Sequence, residues 1–345
     1  MINYNTTQLN SKQNLKILNV NEEKMLNNGN GLHFKLPLAL QLEITSNCNL
    51  KCPFCYNSSK YNKTDNNDLT PDVFTKLVKD IVESGGIFQC IISGGEPTLV
   101  INNFFGLLDI LKKDGTSLAL ISNGAGINEE TIKSFRRYDW DWVQISIDSS
   151  NGAKHDVIRG VSGTYKQAIK AISLLKKNHI PLIMASVISD YNIEDMTELV
   201  ELAIENGAKE IIFSEVIPSG RASTQKFKLS ESNVILYQNT ITELKREYEN
   251  DIIITKAASY KEQLLHSEKY VPLSCIVRPN GDVKLDCILP FVIGNITKEN
   301  FLNIWENAYR LVQSTQFKSY IKEAINHFIS VVPNNVNQDI YFMED

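Results

Sequence analysis

From Leu36 onward, short apolar runs alternate with amphipathic segments, and this rhythm leaves few architectures open to the chain. The strand candidates are Leu40–Ile44, Phe88–Ile92, Leu118–Ile121, Trp142–Ile147, Leu182–Ile188 and Glu210–Glu215. Between them lie the helix candidates Thr70–Glu83, Phe104–Lys113, Glu129–Tyr138, Tyr165–Asn178 and Ile193–Asn206. In the first of these, Phe74, Leu77, Val78, Ile81 and Val82 recur at the spacing of a one-faced helix. Thr70-Pro71 supplies an N-cap and a first-turn proline, and Gly85-Gly86 stops the helix. Repeated β-α units with short links predict an α/β protein with a parallel sheet and right-handed crossovers. A flat doubly wound sheet and a barrel both satisfy that pattern.

The first βα loop separates them. It carries Cys48-Asn49-Leu50-Lys51-Cys52-Pro53-Phe54-Cys55, with no G-x-G-x-x-G for a dinucleotide phosphate. Three thiols at C-x3-C-x2-C open at the strand's C-terminal mouth, where a tight loop can turn them onto one iron–sulfur cube. A cube has four irons, so one is left without a protein ligand and can bind a substrate or cofactor. The bland reading is a zinc knuckle. A structural zinc needs a fourth ligand at short range, and no residue from Asn57 to Lys63 is Cys or His.

These residues resemble the radical S-adenosylmethionine (radical SAM) enzymes, including the aromatic Phe54 between the last two cysteines. The resemblance implies a partial (β/α)6 barrel with its chemistry at the strands' C-terminal ends. It also implies a [4Fe-4S] cluster on Cys48, Cys52 and Cys55, whose open iron chelates S-adenosylmethionine (SAM). One electron then cleaves SAM to a 5′-deoxyadenosyl radical, while the protein orients the reactants and excludes water.

Further polar groups end the following strands. Ser93-Gly94-Gly95-Glu96-Pro97 matches the family's motif for the amino group of SAM, with Gly94 and Gly95 permitting close approach and Glu96 offering a carboxylate to an ammonium. Ser122-Asn123-Gly124 and Ser146-Ile147-Asp148 sit at the same mouth and offer bonds to a ribose or a carboxylate, although Ser-x-Asp alone is usually a helix cap. Arg159 is a candidate clamp for the SAM carboxylate, against the reading of a surface arginine. The resemblance thus assigns Phe54, Gly94, Gly95, Glu96, Pro97, Ser122, Asn123, Ser146, Asp148 and Arg159 to cofactor binding. Cys90 reads as core packing. The five histidines, His33, His155, His179, His266 and His327, are scattered and form no ligand pair.

After Ser219-Gly220-Arg221 the rhythm changes to a helix from about Ser230 to Glu249 and a short strand, Ile252–Thr255. Cys275 and Cys287 then flank a hairpin turned by Pro279-Asn280-Gly281-Asp282, followed by Gly294-Asn295 and Trp305. This is similar to the SPASM or shorter twitch extension, which supplies part of an auxiliary iron–sulfur site. Two thiolates cannot satisfy a cube, and no cysteine follows Cys287. Three options stay open: completion by Asp286, Asp282, His266 or substrate; loss of the cluster; or a thiol that donates a hydrogen atom to a substrate radical. Beyond Trp305 a helix is expected to Phe328, with a loose tail from Pro333.

Bulk properties exclude several classes. Apolar content of 43% and charge of 22% suit a globular protein. Net charge is 35 − 40 = −5, with no basic stripe, so a nucleic-acid partner is not expected. No apolar run is long enough to span a bilayer, and the N-terminus, rich in Asn, Lys and Gln, lacks a signal-peptide core. Cysteines grouped as metal ligands point to a reducing cytoplasm. The expected division is a 1–36 extension, a 37–225 barrel, a 226–310 bridging helix with hairpin module, and a 311–345 helix and tail. The expected activity is radical SAM modification of a ribosomally made peptide by crosslink, thioether or epimerisation, with electrons from a flavodoxin or ferredoxin. The alternatives are radical chemistry on a small molecule, such as an aminoglycoside, a tetrapyrrole or a cofactor precursor, and a non-catalytic zinc-binding protein.

Overall fold

The computed structural model describes residues 33–62, 67–224, 227–270, 272–326 and 339–342. Strand β1 (Ala39–Glu43) leads into the cysteine loop, which is closed by the two-residue strands β2 (Asn47–Cys48) and β3 (Lys60–Tyr61). Helix α1 (Pro71–Glu83) starts at an extended Thr70 with Pro71 in its first turn and buries Phe74, Leu77, Val78 and Ile81. Each such side chain contributes roughly 1.5–3 kcal/mol of transfer free energy. There follow β4 (Gln89–Ser93), α2 (Phe105–Asp114), β5 (Ser117–Ser122), α3 (Glu129–Phe135), β6 (Trp140–Ser146), α4 (Gly152–Arg159), α5 (Thr164–Lys177), β7 (Leu182–Ile188), α6 (Met196–Glu205) and β8 (Glu210–Glu215).

The six strands β1 and β4 to β8 pair parallel with their neighbours, in chain order, as a partial barrel requires. Side chains alternate across a strand. Leu40 and Leu42 of β1, Leu118 and Leu120 of β5, and Val143 and Ile145 of β6 face the helices and form the core. Their neighbours Gln41, Ile121, Gln144, Ser146, Ala185, Ile212 and Ser214 face the other way and are only half-buried. The inner face of the sheet is therefore an open, partly polar lumen.

The chain continues through α7 (Glu231–Glu247), β9 (Ile253–Lys256), α8 (Tyr260–Lys269), β10 (Ser274–Val277), β11 (Asp282–Lys284), β12 (Phe291–Asn295), α9 (Phe301–Gln313), α10 (Thr315–Asn326) and β13 (Ile340–Tyr341). Here the structure departs from expectation. Strand β9 adds to β8 as a seventh parallel strand, so the barrel sheet extends past residue 225. The hairpin is not merely docked: β10 pairs parallel with β1, and β11 and β12 continue the same sheet antiparallel. The full order is β13-β12-β11-β10-β1-β4-β5-β6-β7-β8-β9. The C-terminal helix is broken at Ser314, whose extended backbone separates α9 from α10. Part of the expected loose tail forms β13, parallel to β12. The extension up to residue 32, His327 and the rest of the tail lie outside the described residues. No helix among the described residues is long and apolar enough to cross a membrane.

Candidate active site

The cysteine loop rises from the C-terminal end of β1 and is fixed from three sides. The first is the β4 loop. The amide of Gly95 donates to the Thr45 carbonyl at 2.7 Å and that of Glu96 to the Asn47 carbonyl at 2.8 Å. A Cβ on Gly95 would stand 2.1 Å from the Asn47 oxygen, and one on Gly94 2.6 Å from the Thr45 oxygen. The glycine pair thus permits close packing of the β4 loop on the cysteine loop. The second side is α4, where the Lys51 amide donates to the Arg159 carbonyl. The third is Arg221, whose Nε donates to the Cys52 carbonyl and whose Nη1 donates to the Ser59 carbonyl, each at 2.8 Å.

Within the loop, Cys48 and Cys52 are buried with Leu50, Phe54, Ile158 and Ala222, and Cys55, Val187 and Val216 pack at the edge. The three thiols thus belong to one side-chain cluster. Among the described residues, no three His, Cys, Asp or Glu side chains converge on a single metal ion. Donors point at the sulfurs: Leu50 N lies 3.4 Å and Asn123 Nδ2 3.9 Å from Cys48 Sγ, and Arg159 Nη1 lies 3.8 Å from Cys52 Sγ. Burial pushes the Cys48 thiol up to about 12, and it also raises Cys52, with the Arg159 guanidinium opposing. A buried set of three thiols with N–H donors on two of its sulfurs suits an iron–sulfur cluster, whose charge and potential such bonds tune. The donor set fits the group.

Glu96, 1% exposed, accepts from Thr98 N at 3.0 Å, from Thr98 Oγ1, from Ser122 Oγ at 2.7 Å and from Asn123 N at 2.7 Å. Its carboxylate therefore ties the β4 loop to the β5 loop. Pro97 opens the short 3-10 turn that Glu96 caps. Asn123 in turn donates to Asn49 Oδ1 at 2.8 Å, coupling β5 to the cysteine loop.

Asp148 is buried completely and pairs with Arg159, Nε to Oδ2 at 2.6 Å, while Val187 N donates to its Oδ1 at 3.0 Å. The guanidinium stands 5.6 Å from the centre of the Phe54 ring. Arg159 is thus no surface residue, and it faces Asp148 and the Cys52 sulfur rather than an open clamp. Ser146 is half-buried on the lumen side. His155 Nδ1 accepts from the Asp148 amide at 3.1 Å and orders the α4 turn. Arg221 and His155 are the residues that sequence reasoning passed over. The Gly220-Arg221 pair after the last core strand was the available signal, since Gly220 at φ +59° passes within 2.4 Å of the Cys55 oxygen if given a Cβ.

The register of β10 settles which face Cys275 takes. Cys275 stands opposite Leu40, itself opposite Cys90, so all three share the helix-covered face. The next residue, Ile276, lies on the other face and lines a small cavity with Glu43, Tyr56, Arg278, Lys284, Asp286 and Cys287. Cys275, like Cys90, is buried in the core, while Cys287 borders the cavity. Asp286 is engaged by the amides of Ile288 and Leu289, and Asp282 by Asn280, Asn295 and Tyr341.

The chain is similar to known proteins in sequence and in fold. Residues 42–203 match the Radical SAM superfamily model. The AdoMet-dependent heme synthase of Methanosarcina barkeri is 27% identical over 293 residues, covering 79% of this chain and 83% of that protein. The subtilosin biosynthesis protein AlbA of Bacillus subtilis is 26% identical over 312 residues, covering 87% of this chain but 66% of AlbA. In fold, the chain resembles Streptococcus suis SuiB bound to precursor peptide SuiA, with a TM-score of 0.67 at 15% identity over 84% of this chain and 67% of SuiB. Residues 42–203, a little under half of the chain, thus match a radical SAM domain.

Proposed function

We propose that this enzyme cleaves SAM reductively at the barrel mouth and takes a hydrogen atom from a ribosomally made peptide held in the lumen. One observation carries the reading: three thiols gathered in one loop cluster at the C-terminal end of β1 have N–H donors on two of their sulfurs. Cys48, Cys52 and Cys55 would hold a [4Fe-4S] cluster that, with SAM bound, supplies the electron that splits SAM into methionine and a 5′-deoxyadenosyl radical. The chain's own share is positional. Arg159 keeps a positive charge beside Cys52 and favours its thiolate. Leu50, Phe54 and Ile158 keep water from the sulfurs, and Glu96 holds the Ser122 and Asn123 loops at fixed distance from Cys48. Gln41, Gln144 and Ser146 supply hydrogen-bond partners within the lumen. An external flavodoxin or ferredoxin of the cytoplasm is the electron source in this scheme.

The peptide assignment is supported by the likeness to AlbA, a protein of bacteriocin biosynthesis, and its outcome would be a crosslink, thioether or epimerised residue. A second reading, a tetrapyrrole or other small-molecule substrate, draws on the heme synthase likeness. The test is anaerobic reconstitution with iron and sulfide, then dithionite and SAM. The wild type should form 5′-deoxyadenosine, and a Cys48→Ala/Cys52→Ala/Cys55→Ala variant should form none. A protein that takes up zinc instead, or that holds iron yet never cleaves SAM, ends the proposal.

A further inference from the structure

Strand β13 is a thin element with an unexpectedly specific anchor. Its backbone is held to β12 by two hydrogen bonds, Ile340 N to the Pro290 carbonyl and Phe342 N to the Val292 carbonyl, each 2.9 Å. Tyr341 is more than half exposed, at 55%. The residue just before the strand behaves differently. The Asp339 carboxylate accepts from Arg278 Nη1 at 2.7 Å and from Lys284 Nζ at 3.1 Å, and the lysine side chain is only 6% exposed. Tyr341 adds a bond from its hydroxyl to Asp282 Oδ2 at 3.1 Å.

We infer that the flank of β12, with Arg278 and Lys284 beneath it, is a docking register for an extended peptide segment bearing an acidic side chain. Residues 339–342 fill it in cis. This rests on the proposed function, and it names the substrate feature that the enzyme reads. Three observations converge. Two backbone amides donating to a strand edge are available from any extended peptide, so pairing is indifferent to sequence. The carboxylate on two largely buried cations supplies the selection, because such charge-assisted bonds are strong and an uncharged replacement leaves the cations unpaired. Arg278 and Lys284 also line the cavity that holds Glu43 and Tyr56 at the end of β1, so a segment docked there enters beside the lumen. Beside Phe342 a surface groove of about 480 Å³, lined also by Glu299, Asn303, Glu306, Asn307 and Arg310, leaves room for further residues. Tethering gives the tail a high effective concentration, which explains how so few contacts hold it.

The test uses the full chain and a fluorescein-labelled peptide, Gln-Asp-Ile-Tyr-Phe-Met-Glu, copied from residues 338–344, beside a version with Asn for Asp. Anisotropy should show the Asp peptide binding D339N roughly tenfold more tightly than wild type, since the cis competitor is weakened. It should also bind D339N roughly tenfold more tightly than the Asn peptide does, and a D339N/R278Q chain should lose that preference. In wild type, excess peptide should strip hydrogen-exchange protection from the amides of Ile340 and Phe342, an arm that needs no variant to fold. Equal binding of the two peptides, no binding at millimolar peptide, or binding with those amides still protected each overturns the inference. The readouts need no turnover, so they stand or fall apart from SAM cleavage.

Discussion

His155 is buried on α4, accepts from the Asp148 amide through Nδ1, and is held neutral. Burial first, and then the Arg159 charge, pushes its pKa down from 6.5 to about 3. A histidine with a lowered folded pKa stabilises above its unfolded value, and the stability is lost as pH falls from 6.5 towards 3, because only the unfolded chain takes the proton. The expected loss is about 2 kcal/mol between pH 7 and pH 5. H155N keeps an acceptor near the Nδ1 position and cannot titrate, so its urea-unfolding free energy should miss that part of the pH slope. Parallel curves for the two chains would remove the histidine from the account. At this scale the sequence was informative only where chemistry is local. The three cysteines announce themselves by spacing and by the strand before them. The Arg159–Cys52 contact and the Arg221 strut join residues far apart in the chain, and no local pattern marks them. The hairpin cysteines misled for a related reason: spacing gives proximity along the chain, while strand register decides which face each thiol takes.

Among the elements, the loops at the barrel mouth are where backbone meets backbone. Gly95→Ala would force a Cβ against the Asn47 carbonyl, so the β4 loop or the cysteine loop must move. The expected cost is roughly 2–4 kcal/mol, together with a lower iron content after reconstitution, because Asn47 adjoins Cys48. Gly106→Ala is the contrast. It lies in the first turn of α2, where an added Cβ meets nothing within 4 Å. It should stabilise by about 0.5–1 kcal/mol and leave iron uptake unchanged. Equal effects of the two substitutions in denaturant melts would contradict this view of the site. The core strands and the longer helices were legible because buried parallel strands read as apolar runs and α1 as a strong period. Helix α4 was not: it is short, begins at Gly152, and half of its eight residues are polar. Strand β13 was hidden because two residues make no periodicity, and its pairing depends on an edge built elsewhere.

For the whole molecule, the seam between β1 and β10 matters most. Ala39 to Leu42 pair with Ser274 to Val277 on one flank while β4 takes the other, so the strand that launches the cysteine loop is shared by both halves of the sheet. Helix α9 returns across this seam: Trp305 Nε1 donates to the Phe34 carbonyl at 2.8 Å, and Phe34 N donates to the Tyr309 hydroxyl at 2.8 Å. A C-terminal module joined in this way cannot melt while leaving β1 paired on both sides. Unfolding should therefore be one transition. A W140F/W142F chain leaves Trp305 as its single tryptophan, a reporter of α9. Urea midpoints from Trp305 fluorescence and from far-ultraviolet circular dichroism, measured on that same chain, should coincide. An earlier fluorescence midpoint would mean that the hairpin and its helices come away as a unit, and that β1 keeps its place in the barrel without them.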